Sequence, residues 1–212
     1  SLPFVFLFVL EMAFRLIDFF PQEPLFLEIT KEGRPLYQVN PDVANRYFDA
    51  KKMAVPKLFP DTFYKHKPEH VIRIFCLGGS TTAGFPFEAQ VPFPFRLKKM
   101  LQAADTGHEY EVINLGLSAV NSFTVLDFMP EVLEMKPDLL VVYMGHNEFY
   151  GAYGSASTIS LGSNGSLIRI FLRIQKWRIM QALKQIVSSF TSPPQEALKD
   201  ETLMERVTAG QS

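Results

Sequence analysis

The stretch Val71–Thr82 (VIRIFCLGGSTT) decides the fold of this 212-residue chain. Its first seven residues are apolar apart from one arginine, and the run stops at two glycines. This pattern predicts a buried strand that ends in a tight turn. Ser80 stands where that turn passes into the next element.

Two similar units follow along the chain. Glu111–Leu117 (EVINLGL) and Leu139–Met144 (LLVVYM) are further apolar runs that predict strands. Helices are predicted over Phe93–Ala104 and from Asn121 or Ser122 to Met135. Apolar strands that alternate with helices predict a parallel sheet covered on both faces, in a doubly wound α/β layer structure.

Each predicted strand ends beside glycine and a polar side chain, so the three turns should meet at the carboxyl rim of the sheet, where such folds bind ligands. Ser80, after two glycines and before a helix, suits a nucleophile whose oxyanion is stabilised by fixed N–H donors. From this turn alone, Ser80, Thr81 and Thr82 are equally explained as helix caps. Gly116 and Asn147 offer a backbone N–H and a side-chain amide as further donors.

Residues 71–154 resemble the SGNH (GDSL-like) hydrolases, a likeness carried by IRIFCLGGSTTAG, NLGLSAVNS and PDLLVVYMGHNEFYG. These motifs are similar to those of membrane-anchored bacterial members of the family. The resemblance implies a flavodoxin-like three-layer α/β/α sandwich with a parallel sheet. It also implies Ser80 as nucleophile, and its N–H, Gly116 and Asn147 as the oxyanion hole. Four neighbours are expected to be supporting or substrate-side residues: Gly79, Thr81, His146 and Glu148.

The sequence departs from this family at two points. Gly79 stands where the family usually has aspartate. The family's Asp-x-x-His, which supplies the general base and its orienting acid, does not occur after Asn147. We therefore expect the fold to be incomplete at its C-terminus, and the chain to be an N-terminal fragment that is inactive by itself.

We predict one domain over residues 71–212, with two further segments before it and a basic helix within it. Residues 1–20 begin with a wholly apolar run, Leu2–Leu10, which predicts the end of a membrane anchor or signal segment, or an amphipathic helix. Residues 21–70 carry seven prolines and predict an irregular lead-in. Residues 166–190 predict a basic amphipathic helix, which is a membrane-surface element, a lid or a plain surface helix.

Composition narrows the function further. A formal net charge of −1 gives no reason to expect nucleic-acid binding. The single cysteine, Cys76, excludes an internal disulfide and predicts a buried thiol. Pro68 opposes a helix across the zinc-protease-like sequence His66–His70, so no metal is expected, and no cofactor either.

The sequence therefore predicts a membrane-anchored, extracytoplasmic serine esterase. It would act on lipid or acylated-glycan esters through an acyl-enzyme on Ser80. Two alternatives stay open: an O-acyltransferase of the same fold, and a catalytically inactive SGNH-like binding module.

Overall fold

The computed structural model describes residues 2–19, 21–48, 54–85, 92–145, 147–148, 170 and 173–190. The elements in chain order are α1 (Leu2–Leu16), β1 (Phe26–Lys31), β2 (Arg34–Val39), a 3₁₀ turn (Val43–Arg46), β3 (Thr62–Tyr64), β4 (Val71–Gly78), α2 (Ser80–Ala83), α3 (Phe93–Ala104), β5 (Glu109–Gly116), α4 (Ser122–Glu134), β6 (Leu139–Tyr143) and α5 (Arg178–Phe190).

A parallel sheet in the order β5-β4-β6 forms the centre of the fold. The order matches the first three strands of a flavodoxin-like sheet, in which the first strand lies between the next two. Gly78 pairs with Gly116 on one side and with Tyr143 on the other, so the three strands end at one level. The predicted parallel sheet is confirmed.

Helices cover both faces of this sheet, as predicted. On one face, α3 packs Phe93, Leu97 and Leu101 against the alternate side chains of β4 and β5. On the other face, Phe128 and Val132 of α4 belong to the larger core, together with Phe75, Leu77, Ile113 and Leu115. The chain has an α/β fold in which a parallel sheet is flanked by helices.

The prediction that residues 21–70 are irregular was wrong for part of that segment. β1, β2 and β3 form an antiparallel sheet of their own. Glu32 and Gly33 join β1 to β2 with φ values of 52° and 74°, the left-handed conformations of a two-residue hairpin turn. Leu25, Phe26 and Phe63 extend the core of the α/β unit from this sheet.

A buried arginine ties the two sheets together. Arg73 of β4 donates to the Glu111 carboxylate at 2.7 Å and to the carbonyls of Tyr64 and Met135 at 2.6 Å each. Its guanidinium also lies 4.8 Å from the centre of the Phe63 ring. Because the charge is paired and its donors are used, the buried group is compensated.

The segment predicted as one helix over 166–190 differs from the expectation. Residues 166–169, 171 and 172 lie outside the described residues, and Gln175–Trp177 form a turn before α5 begins at Arg178. At the other end of the chain, Leu2–Leu16 form the helix α1, which fits both an anchor segment and an amphipathic helix. Within the described ranges, no helix combines the length and apolar character needed to cross a bilayer.

Candidate active site

Three loops meet at the carboxyl rim of the parallel sheet. The Leu117 N–H after β5 donates to the Gly78 carbonyl at the end of β4, at 3.0 Å. The Ser122 N–H and hydroxyl at the start of α4 donate to the Glu148 carboxylate at 3.0 and 2.8 Å. These bonds connect the turn after each strand to one of the others.

Ser80 is the first residue of the short helix α2, and Gly79 precedes it in an extended conformation. The N–H groups of Gly84 and Phe85 both donate to the Ser80 carbonyl, at 2.9 and 3.0 Å. Gly84 ends the helix with a φ of +90°, a conformation that favours glycine. This single tight turn holds Ser80 half-buried at the rim.

Gly78 and Gly116 let α2 lie directly on the sheet. An ideal Cβ on Gly78 would lie 2.8 Å from the Thr82 Cβ and closer still to two oxygens, the Thr82 hydroxyl and the Tyr143 carbonyl. An ideal Cβ on Gly116 would lie 2.8 Å from the Ala83 Cα and closer still to the Ala83 nitrogen. Both glycines are therefore required for close approach.

The structure does not leave Gly116 free for the expected donor role. Its N–H already donates to the Asn114 side-chain oxygen at 2.8 Å, and both residues are buried. A donor that is used inside the protein is not open to a substrate. Gly116 acts instead by giving α2 the room it needs.

Ala119 is the rim residue that the sequence did not reveal. It lies in the turn after β5 with a φ of +59°, a left-handed conformation that is uncommon outside glycine. It is exposed, and its N–H makes no backbone hydrogen bond within the described residues. The next residue, Val120, lines the same small cavity as Ser80. Strained backbone of this kind clusters at functional sites, which makes Ala119 a candidate member of this one.

Asn147 lies beside the turn that carries Ser80. Its side-chain nitrogen is 3.4 Å from the position of an ideal Cβ on Gly79. Ser80, Thr81 and Asn147 line one cavity of about 10 Å³, which is about the room that one water-sized group needs. Glu148 holds this turn against α4 through Ser122. The structure thus brings together Gly79, Ser80, Thr81, Asn147 and Glu148, whereas His146 lies outside the described residues.

The three described histidines lie at the end of the sheet away from Ser80. His66 lies just beyond β3, where the N–H of Tyr64 donates to Glu111 near the start of β5. His70 directly precedes β4 and His108 directly precedes β5, so the eight residues of each strand separate them from the rim by roughly 26 Å. Asp105 and His108 form an Asp-x-x-His pair, with 2.7 Å between the carboxylate and Nδ1. Hydrogen bonds from His108, the Gly107 N–H and Tyr110 lower the pKa of Asp105 to about 2.

Comparison with solved structures finds SGNH hydrolases. AlinE4, an SGNH-hydrolase family esterase, is 26% identical over 39% of this chain and 44% of its own, with a TM-score of 0.34. Two point mutants of AlinE4 match over the same shares with the same TM-score, at 26% and 24% identity. The likeness therefore spans less than half of the AlinE4 chain. No family model and no curated protein matches.

Cys76 lies in β4 and is fully buried, as predicted. Burial, with a smaller contribution from Asp61, raises the pKa of its thiol to about 12. Since the thiolate is the reactive form, this cysteine is inert. Among the residues that the structure describes, no three His, Cys, Asp or Glu side chains converge as a metal site requires.

Proposed function

We propose that this chain carries the nucleophile and the oxyanion hole of a serine ester hydrolase of the SGNH kind. The observation that carries the proposal is the shared cavity of Ser80 and Asn147 at the carboxyl rim of the parallel sheet. A hydroxyl beside an amide donor supplies two of the groups that acyl transfer needs, a nucleophile and a donor to the oxyanion. The two residues come from loops 67 positions apart in sequence, so neither a helix cap nor a turn explains their meeting.

The proposed reaction begins with attack of the Ser80 oxygen on an ester carbonyl. The Ser80 proton passes to a base and then to the leaving alcohol, which leaves an acyl group on Ser80. Water then attacks this acyl-enzyme and releases the acid. In both halves the carbonyl oxygen gains negative charge that N–H donors stabilise.

Three groups are proposed as these donors: the Ser80 N–H, the Asn147 amide and the Ala119 N–H. Asn147 Nδ2 lies against the Gly79 turn, and Ala119 replaces Gly116, whose N–H is bonded to Asn114. The cavity beside them has room for one atom of water size, as a carbonyl oxygen requires.

Glu148 is proposed as a positioning residue. Its two carboxylate oxygens accept from the N–H and the hydroxyl of Ser122. A negative charge at the start of α4 is also favoured by the helix dipole. Because Asn147 is the adjacent residue, this clamp fixes the height of its amide over the rim.

The general base is proposed to come from outside the described residues. The described histidines, His66, His70 and His108, cannot reach Ser80 across the sheet, and serine without a base is a weak nucleophile. In keeping with this, β6 is an edge strand of the sheet in the described part, and Leu139 and Val142, whose side chains point to opposite faces, are both exposed. Parallel strands of this apolar kind are normally buried on both faces.

The test uses the 212-residue chain and the product of the complete gene. Each is assayed with a p-nitrophenyl ester and labelled with a fluorophosphonate probe, next to its Ser80→Ala variant. We expect Ser80-dependent turnover by the gene product and none by the 212-residue chain. Turnover by the chain that is lost in His146→Ala would make His146 the base. Absence of Ser80 labelling in both proteins would favour the inactive binding module instead.

The proposed substrate class rests on the proposed esterase activity. Lipid or acylated-glycan esters outside the cytoplasm are the class that the sequence favours. Comparing short-chain, long-chain and sugar-linked esters as substrates of the gene product, with Ser80→Ala as the control, tests this. Preference for a short-chain soluble ester would contradict it.

A further inference from the structure

The first helix exposes apolar side chains all around its axis. Six consecutive residues, Phe4 to Val9, are each 42–75% exposed. Neighbouring residues on a helix are about 100° apart, so six in a row face every direction. A groove on another protein covers one side of a helix, whereas a hydrocarbon phase covers all sides. This exposure pattern therefore favours a lipid surface over a protein partner.

The only acid of α1 joins this helix to α5. Glu11 is buried and accepts from the N–H groups of Arg178 and Ile179, each at 3.1 Å. Arg15 donates to the same carboxylate at 2.8 Å. A buried carboxylate next to an apolar run is costly unless its bonds are made. Here it accepts from two of the N–H groups that begin α5, which have no partner within a helix.

α5 continues the apolar surface and adds positive charge. Leu183, Ile186 and Val187 are 50–53% exposed, and Trp177, just before the helix, is 46% exposed. Residues 166–190 contain five Lys or Arg and no acid, although the whole chain has a net charge of −1. Of those that the structure describes, Lys176 pairs with Asp127 and Arg178 with Asp18. A cationic apolar surface with an exposed tryptophan suits the interface of an anionic membrane.

We infer that α1 and α5 form a single membrane-binding surface, in which α1 inserts its apolar residues among the acyl chains and α5 lies at the headgroup level. Residues 2–10 span about 13 Å as a helix, close to half the thickness of the hydrocarbon core. The Glu11 contacts set the position of the one helix relative to the other. The Lys176–Asp127 pair, 2.7 Å long, connects this surface to α4 and hence to the α/β unit. The inference stands independently of the proposed esterase activity.

The test is vesicle flotation of the whole chain, with phosphatidylcholine vesicles that either contain or lack phosphatidylglycerol. We expect the chain to float with both and more strongly with the anionic lipid. A triple variant with Phe4→Ser, Phe6→Ser and Phe8→Ser should lose about 100-fold in partitioning, since each ring leaves the acyl phase. The matched control is Met100→Ser, Leu126→Ser and Leu133→Ser, which changes exposed apolar residues of α3 and α4 and should float as the parent does.

Trp177 is the only tryptophan of the chain, so its emission reports on α5. We expect a blue shift when vesicles are added. If the chain floats but the emission wavelength of Trp177 does not change, α5 is not part of the surface and the inference is overturned. Flotation of the Phe triple variant at the level of the parent would also overturn it. So would a dimer in vesicle-free buffer that this variant abolishes, because a second copy of the chain would then cover the apolar surface. Thermal unfolding of both triple variants checks that they fold, and Phe6→Ser alone repeats the test with the smallest change.

Discussion

Gly116→Ala is expected to displace α2, the helix that carries Ser80. The added Cβ would lie 2.8 Å from the Ala83 Cα, more than 0.5 Å inside the 3.4 Å at which ordinary contact begins, and closer still to the Ala83 nitrogen. The atoms that must yield are backbone, so α2 moves as a unit. Overpacking of this kind costs about 1–3 kcal/mol. A displacement of about 1 Å in a reacting group lowers the rate about 100-fold, so labelling of Ser80 should slow by up to that factor.

The assays are thermal unfolding of the 212-residue chain and the rate of Ser80 labelling by a fluorophosphonate in the complete gene product. Gly79→Ala is the matched control, because its Cβ would lie 3.4 Å from Asn147 Nδ2 and its φ of −84° suits any residue. The control should change stability by less than about 1 kcal/mol. Alanine keeps the N–H of residue 116, so a variant as stable and as reactive as the control would refute the close-approach role. A rise in labelling of the Asn114→Ala variant, which frees that N–H, would restore Gly116 as a donor.

Three further predictions concern strain, charge and the buried arginine. Ala119→Gly should raise the free energy of unfolding by about 1 kcal/mol in chemical denaturation, because glycine relieves the strain of the left-handed conformation. Lys136 has a φ of 53° and lies away from the rim. Lys136→Gly should therefore give the same gain without changing Ser80 labelling. Burial acts to raise the pKa of Glu11, but its backbone and arginine donors outweigh burial and lower it below 4.5. Docking of α5 should therefore be intact above pH 4.5 and be lost as pH falls through the lowered pKa, which the emission of Trp177 follows; an identical acid transition in Glu11→Gln would contradict this. Arg73→Met leaves the Glu111 carboxylate buried without its partner and should cost about 3–5 kcal/mol in urea unfolding; a loss below about 1 kcal/mol would show that the pair contributes little.

The parallel sheet was predictable from sequence because its strands are short apolar runs, and β4 and β5 are buried on both faces. VIRIFCL and LLVVY are continuous apolar runs, and the predicted bounds agree with β4 and β6 to within a residue. β5 begins two residues earlier than predicted, at Glu109. Helix α3 was predicted to the residue.

The lead-in sheet was missed because its signals conflict. Seven prolines argued against regular structure, yet Pro35 lies in β2 at a position that β3 does not reach, since β3 pairs only with Leu36–Gln38. The Glu32-Gly33 dipeptide between two alternating runs was the signal that could have revealed the hairpin. Proline density alone says little about the strand positions that need no N–H donor.

The residues of the rim were predictable in kind but not in role. A sequence shows that Gly116 is glycine, but only coordinates show which backbone lies against it. The left-handed conformation of Ala119 has no sequence signature, because alanine rarely adopts it. The clamp between Glu148 and Ser122 joins residues 26 apart and depends on the fold being formed.

The meeting of Ser80 and Asn147 is tested most directly by the rate at which a fluorophosphonate labels Ser80 in the complete gene product and in its Asn147→Ala variant. The phosphonate oxygen occupies the place of the oxyanion. Losing one such donor costs about 10²–10³ in rate, so we predict that mass spectrometry finds the adduct on Ser80 and that labelling of the variant is slower by that factor. Labelling at an equal rate in both proteins, or an adduct on another residue, would contradict the account.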